Sequence, residues 1–70
     1  MSRYKDWTNA WSGIATWLMN FDKKLNADKE INNYSKALKL KGSFSERCLL
    51  ISENFNQFKN YIKQNHERNT

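Results

Sequence analysis

The fold is decided by residues 43–62, SFSERCLLISENFNQFKNYI. The apolar residues of this stretch recur at alternating steps of four and three: Phe44, Cys48, Ile51, Phe55, Phe58 and Ile62. Such spacing keeps the side chains on one face of an α-helix, whereas in a β-strand they would alternate between two faces. We therefore predict one long amphipathic helix over residues 44–64.

The start of this helix is marked by a capping box. Ser43 is followed three residues later by Glu46, so that each side chain can accept a hydrogen bond from the backbone N–H of the other residue. Gly42 comes directly before them and is typical of a residue that ends the preceding helix. A helix boundary is therefore expected at residues 42–43.

Two further helices are predicted upstream. The first has an apolar face from Trp7 to Leu25 with Asp6 as its N-cap, and the second covers residues 28–41 and is ended by Gly42. Short joins favour antiparallel neighbours in helical bundles. We expect an all-α, three-helix bundle with up-down-up topology, formed by a single domain of residues 1–70, with an ordered core of about residues 6–64 and a flexible polar tail at residues 65–70.

Composition limits how a chain of 70 residues can be stabilised. Its one cysteine cannot form an intramolecular disulfide, and Cys48 and His66 are too few for the four ligands of a structural zinc site. Ten aromatic residues can instead supply an apolar core. We expect neither a metal nor a cofactor.

The same features bear on location. A single cysteine is typical of a reducing compartment, and no apolar run suited to a secretory signal follows the basic start of the chain. The longest apolar run, residues 48–51, is far shorter than the roughly 20 residues of a membrane-spanning helix. A cytoplasmic protein without a membrane span is expected.

The sequence contains no convincing set of catalytic residues. Cys48 lies on the core stripe, His66 lies in the polar C-terminal stretch, and the carboxylates are scattered along the chain. Nucleophilic and acid–base catalysis require such groups to be brought together in a cleft. We predict that the protein is not an enzyme.

Several apolar residues miss the main stripe of their helix, and a small monomer seldom exposes a contiguous apolar patch without a function. They are explained either by a wide core contact or by a docking surface, and Leu49, Leu50 and Tyr61 are the candidates for docking. Trp17, at the edge of the stripe of the first helix, is a further candidate, with a place in the core as the competing interpretation. The first hypothesis is a small regulator or inhibitor that binds a larger host or cognate protein. Ten asparagines and no proline are typical of AT-rich phage or mobile-element genes. A homodimer formed through the third helix is a further hypothesis.

The alternative hypothesis is a protein that binds the DNA or RNA backbone. The chain carries a net charge of +5, and residues 23–47 hold seven of its twelve basic residues against three acidic ones. A positive surface attracts polyanions, although a solvated lysine face is the competing interpretation. The candidate contacts are Lys23, Lys24, Lys29, Lys36, Lys39, Lys41 and Arg47.

Overall fold

The computed structural model describes the backbone of residues 2–67 and the side chains of residues 7–66. Four helices follow one another: α1 (Ser2–Phe21), α2 (Ala27–Leu38), α3 (Phe44–Glu53) and α4 (Phe55–Glu67). The described residues contain no β-strand. The predicted all-α class is confirmed, but the predicted count of three helices is wrong.

The difference lies at Asn54, which divides the predicted long helix into α3 and α4. Its backbone leaves the helical region (φ −130°, ψ 56°), and its N–H donates to the carbonyl of Ile51 at 3.1 Å, three residues back instead of four. The Asn54 side chain donates to Gln57 Oε1 at 2.6 Å. Asparagine competes for hydrogen bonds near the backbone and is therefore a poor residue for a helix interior.

The break at Asn54 changes which helix the chain packs against. α3 packs mainly against α1, whereas α4 packs against α2. The apolar stripe nevertheless continues across Asn54, because Ile51 and Phe58 are both buried and Phe55 is partly buried beside them. The spacing of the apolar residues therefore predicted the buried face correctly but did not indicate the bend at Asn54.

Side chains from all four helices form one core. Tyr34 of α2 meets two rings of α4 edge to face, with centroids 5.0 Å from Phe58 and 5.1 Å from Tyr61. Such edge-to-face pairs add to the stabilisation from burial alone. The buried apolar residues are Ile14, Leu18, Ile31, Tyr34, Cys48, Ile51, Phe58 and Ile62.

The bounds of α1 also differ from the prediction. The helix already includes Ser2 and ends at Phe21, so Asp6 lies within it and is not the N-cap. Asp22 ends the helix with a local turn, in which its side chain accepts from Lys24 N at 3.0 Å and its carbonyl accepts from Leu25 N at 3.0 Å. Leu25 packs against the core from this turn instead of from the helix.

α2 ends at Leu38, earlier than predicted. Lys39 adopts the left-handed conformation (φ 57°, ψ 42°), and Leu40 N donates to Ser35 O at 2.9 Å while Lys39 N donates to Lys36 O at 3.2 Å. These two bonds define a Schellman motif, which satisfies the last helical carbonyls. Half-buried Leu40 supplies the apolar contact that often accompanies the motif.

The predicted capping box of α3 is confirmed. Ser43 Oγ accepts from Glu46 N at 3.2 Å, and Glu46 Oε1 accepts from Ser43 N at 2.9 Å. Gly42 has φ +105°, and a Cβ at this position would lie 2.6 Å from Glu46 Oε1. Gly42 is therefore required in the turn before α3, although it does not end α2.

The predicted flexible tail begins too early. α4 continues to Glu67, so residues 65–67 are helical, and residues 68–70 lie outside the described residues. Asn65 Nδ2 donates to Tyr61 O at 2.8 Å, and His66 Nε2 lies 3.3 Å from Glu30 Oε1. Glu30 is only 7% exposed, so this contact attaches the end of α4 to α2.

Candidate functional site

An open groove of about 680 Å³ lies where the end of α2 meets the start of α3. Four of its seven lining residues carry positive charge, and no carboxylate lines it within the described part of the chain. We call this the basic groove. Its lining residues are Asn32, Ser35, Lys36, Lys39, Leu40, Lys41 and Arg47.

The turn between α2 and α3 brings these cations together. Lys36 and Lys39 are three residues apart, and the Schellman motif then reverses the chain so that Lys41 borders the same groove. The capping box begins α3 two residues later. Arg47, in the first turns of α3, completes the lining.

Arg47 is held in a defined orientation. Its Nη1 donates to Asn32 Oδ1 at 2.9 Å, and its Nε donates to Gly42 O at 3.2 Å. The guanidinium carbon lies 5.7 Å from the centroid of the Phe44 ring, within the range of a cation–π contact. Arg47 therefore differs from the three exposed lysines, because its position is fixed from three sides.

The positive charge of the groove is not neutralised locally. Among the described side chains, none of the four groove cations lies within salt-bridge distance of a carboxylate, and the contact at that distance joins His66 Nε2 to Glu30 Oε1. Glu46, the acidic residue nearest in sequence, is engaged with Ser43 in the capping box. A concave surface with charges of one sign focuses the electric field and concentrates oppositely charged ligands.

The remaining predicted basic residues lie apart from the groove. Lys23 and Lys24 are in the turn between α1 and α2, Lys29 is in the first turn of α2, and all three are exposed. At 1.5 Å per residue, Lys29 lies about 10 Å along α2 from Lys36, and Lys23 and Lys24 precede the helix. The structure therefore brings Lys36, Lys39, Lys41 and Arg47 together but not the other three, which we call the loop cluster.

Two of the residues predicted to bind protein pack against the core. The Trp17 ring stacks on Phe21 with centroids 5.2 Å apart and lies 6.0 Å from Phe55, edge to face. Tyr61 is half-buried against Tyr34. Leu49 is also half-buried, whereas Leu50 is 44% exposed.

Large apolar side chains that reach solvent are distributed over three helices. They are Met19 of α1, at 64% exposure, Leu38 of α2, at 37%, and Leu50 of α3, at 44%. Single exposed apolar residues are normal on a protein surface. They are a weaker indication of a binding site than the groove is.

Cys48 is fully buried, as its place on the stripe predicts. Burial raises the pKa of its thiol to about 11, with a further upward contribution from the negative charge of Asp28 and an opposing one from Arg47. The thiolate is the nucleophilic form of cysteine. The protonated, inaccessible thiol of Cys48 is therefore suited to packing.

Sequence reasoning missed Asn32 as part of the site. Asn32 and Arg47 are fifteen residues apart, and only the packing of α2 against α3 brings them together. One usable signal was present: Asn32 precedes Lys36 by four residues and thus shares its helix face. The contact between His66 and Glu30 had no comparable local signal.

Comparison with known proteins adds no family assignment. No protein-family model, curated protein or solved structure matches this chain. Within the described residues, no helix combines the length and apolar character needed to cross a membrane. The basic groove is therefore the feature of the molecule from which a function can be inferred.

Proposed function

We propose that this protein binds nucleic acid without catalysing a reaction, and that the basic groove contacts backbone phosphates. One observation carries the proposal: four cations without a salt-bridge partner among the described residues converge on one open groove. Lysines provide mobile point charges, and arginine provides a planar set of donors that matches phosphate oxygens. Together these groups are suited to phosphate recognition.

The other polar groups of the groove leave little capacity for reading bases. Asn32 Oδ1 already accepts from Arg47, and Ser35 Oγ donates to Ile31 O at 2.7 Å. Sequence is read through donors and acceptors directed at base edges, whereas phosphate contacts fix position without sequence information. We therefore expect weak sequence preference.

An extended polyanion fits this surface better than a short acidic peptide does. Lys29, the member of the loop cluster that lies on α2, is about 10 Å along the helix from Lys36 of the groove. Lys23 and Lys24 lie in the turn before α2. Nucleic acid repeats its negative charge at regular intervals and can interact with both groups at once. The lone buried Cys48 suits a cytoplasmic setting for this activity.

The experiment is a binding titration of labelled mixed-sequence duplex DNA and of RNA, followed by fluorescence anisotropy. Neutralising about four phosphates at the groove alone predicts that affinity for duplex DNA falls by at least about 100-fold between about 50 and 200 mM salt. If neither duplex DNA nor RNA binds at the lower salt concentration, the proposal is overturned.

A second candidate function is docking on a larger protein, as a regulator or inhibitor. The observation that favours it is Leu50, 44% exposed beside half-buried Leu49 on α3. A homodimer through the same helix is a related proposal. Sedimentation of the wild type and of Leu50→Asp tests both: a wild-type monomer excludes the homodimer, and a cognate partner must bind the wild type but not the variant.

A further inference from the structure

We propose that Arg47 is the phosphate anchor of the basic groove and that Asn32 is its positioning residue. This inference rests on the proposed function and assigns separate roles within the site. Arg47 would bind two free oxygens of one phosphate, while Asn32 would hold the guanidinium in the orientation that this requires. The lysines would supply neutralising charge around it.

The donor inventory of Arg47 supports a two-point contact. A guanidinium has five N–H donors. The Nε donor is directed to Gly42 O and one Nη1 donor to Asn32 Oδ1, so both donors of Nη2 and one of Nη1 have no partner among the described residues. Arginine commonly binds phosphate through two parallel N–H···O bonds, which this outer edge can provide.

Both groups that position Arg47 are themselves rigid. Asn32 lies within α2, and the carbonyl of Gly42 is fixed by a backbone of φ +105° next to the capping box. The Phe44 ring supports the guanidinium from α3. A side chain already held in its binding orientation loses less conformational freedom when the ligand arrives.

The three lysines are placed to assist without fixing the ligand. Lys36, Lys39 and Lys41 are exposed and border the same groove as Arg47. Their charges can neutralise phosphate from several directions because the ammonium group has no preferred plane. Replacement of a lysine should therefore alter salt dependence more than geometry, whereas replacement of Arg47 by lysine should alter geometry alone.

The first test compares Arg47→Lys with wild type, using a 20-nucleotide single-stranded DNA labelled at its 3′ end. Arg47→Lys keeps the charge, so we expect about tenfold weaker binding with an unchanged slope of log affinity against log salt. Lys63→Gln, an exposed site on α4, is the control and should remain within about twofold. If the wild type binds and Arg47→Lys binds equally well, the anchor is wrong and the proposed function stands. If the wild type binds only duplex DNA or RNA, the same comparison is made on that nucleic acid. If the wild type binds none of the three, the proposed function is wrong.

The second test separates positioning from folding. Asn32→Ala removes the oxygen that accepts from Arg47 without changing charge, and it is compared in the wild-type and Arg47→Lys backgrounds. If Asn32 acts by positioning Arg47, we expect DNA affinity to fall several-fold in the wild-type background with an unchanged salt slope, and little further in Arg47→Lys. Melting temperatures of the variants report any general loss of folding. An equal loss of affinity in both backgrounds, or none in either, would overturn the positioning role.

The same DNA with a 5′-phosphate distinguishes two sources of the ligand. Equal affinity for the 5′-hydroxyl and 5′-phosphate forms supports an internal phosphodiester at Arg47. Tighter binding of the phosphorylated form, lost in Arg47→Lys, supports a terminal phosphate at the same anchor. A preference for the 5′-phosphate that persists in Arg47→Lys would contradict the anchor.

Discussion

The junction between α2 and α3 differs in structure and in role from the junction between α3 and α4. The first uses left-handed Lys39, Gly42 and a capping box to turn the chain, and it borders the basic groove. The second consists of Asn54 alone and keeps one apolar stripe on the core through a bend. A wide turn thus forms a polar surface, while a minimal break preserves packing.

The largest expected effect tests the packing role of the second junction. Phe58→Ala removes a fully buried ring of α4 that meets Tyr34 edge to face. We expect a loss of about 4 kcal/mol in the free energy of unfolding, a large part of the total for so small a protein. Urea unfolding followed by circular dichroism measures it, with Leu50→Ala as an exposed control that should change stability little. A loss below about 1 kcal/mol would show that the stripe on α4 contributes little to packing.

Replacing the two glycines by alanine should change the free energy of unfolding by smaller amounts and in opposite directions. Gly42→Ala places a Cβ at positive φ, 2.6 Å from Glu46 Oε1, and should cost about 2 kcal/mol by straining the turn and weakening the capping box. Gly13 lies inside α1, and a Cβ added there would meet nothing within 4 Å beyond the surrounding helix backbone, so Gly13→Ala should stabilise by about 1 kcal/mol. Equal effects at both sites in chemical denaturation would contradict the role given to Gly42.

The left-handed residue that ends α2 can be tested without changing charge between variants. Lys39→Gly and Lys39→Ala both remove the ammonium group, but only glycine adopts φ 57° without strain. We expect Lys39→Gly to be more stable than Lys39→Ala by about 1 kcal/mol in thermal or chemical unfolding. If the two variants are equally stable, the left-handed conformation at residue 39 is not strained.

The smallest effect concerns Asn54 itself. Asn54→Ala and Gln57→Ala each remove the same side-chain hydrogen bond of 2.6 Å, at a cost of about 0.5–1 kcal/mol. Because both variants break one interaction, the double variant should be less destabilised than the sum of the two. Fully additive losses in a double-mutant cycle would mean that this bond does not stabilise the bend.

These two junctions also show what the sequence could predict. The start of α3 was predictable because the Ser43–Glu46 capping box is a local interaction over three residues. The bend at Asn54 was not, because the alternating steps of four and three continue unchanged on either side of it. Periodicity reports which face is buried and is insensitive to a break that keeps that face on the core.

The basic groove, too, was predictable from the sequence only in part. Lys36 and Lys39 could be placed on one helix face from their spacing, and the excess of basic residues was evident from composition. The contact of Arg47 with Asn32, and the separation of Lys23 from the groove, depend on how the helices pack. Local rules thus predicted the charges, whereas tertiary contacts determined which of them act together.

Binding of nucleic acid by the groove can be distinguished from attraction by positive charge in general. Two variants with equal charge loss test it directly: Lys36→Gln/Lys39→Gln/Lys41→Gln in the groove, and Lys23→Gln/Lys24→Gln/Lys29→Gln in the loop cluster. The measurement is affinity for labelled duplex DNA across salt concentrations. We expect the groove variant to lose about tenfold more affinity than the loop variant and its salt slope to become shallower by about 2.7. Equal losses in the two variants would contradict binding by the groove.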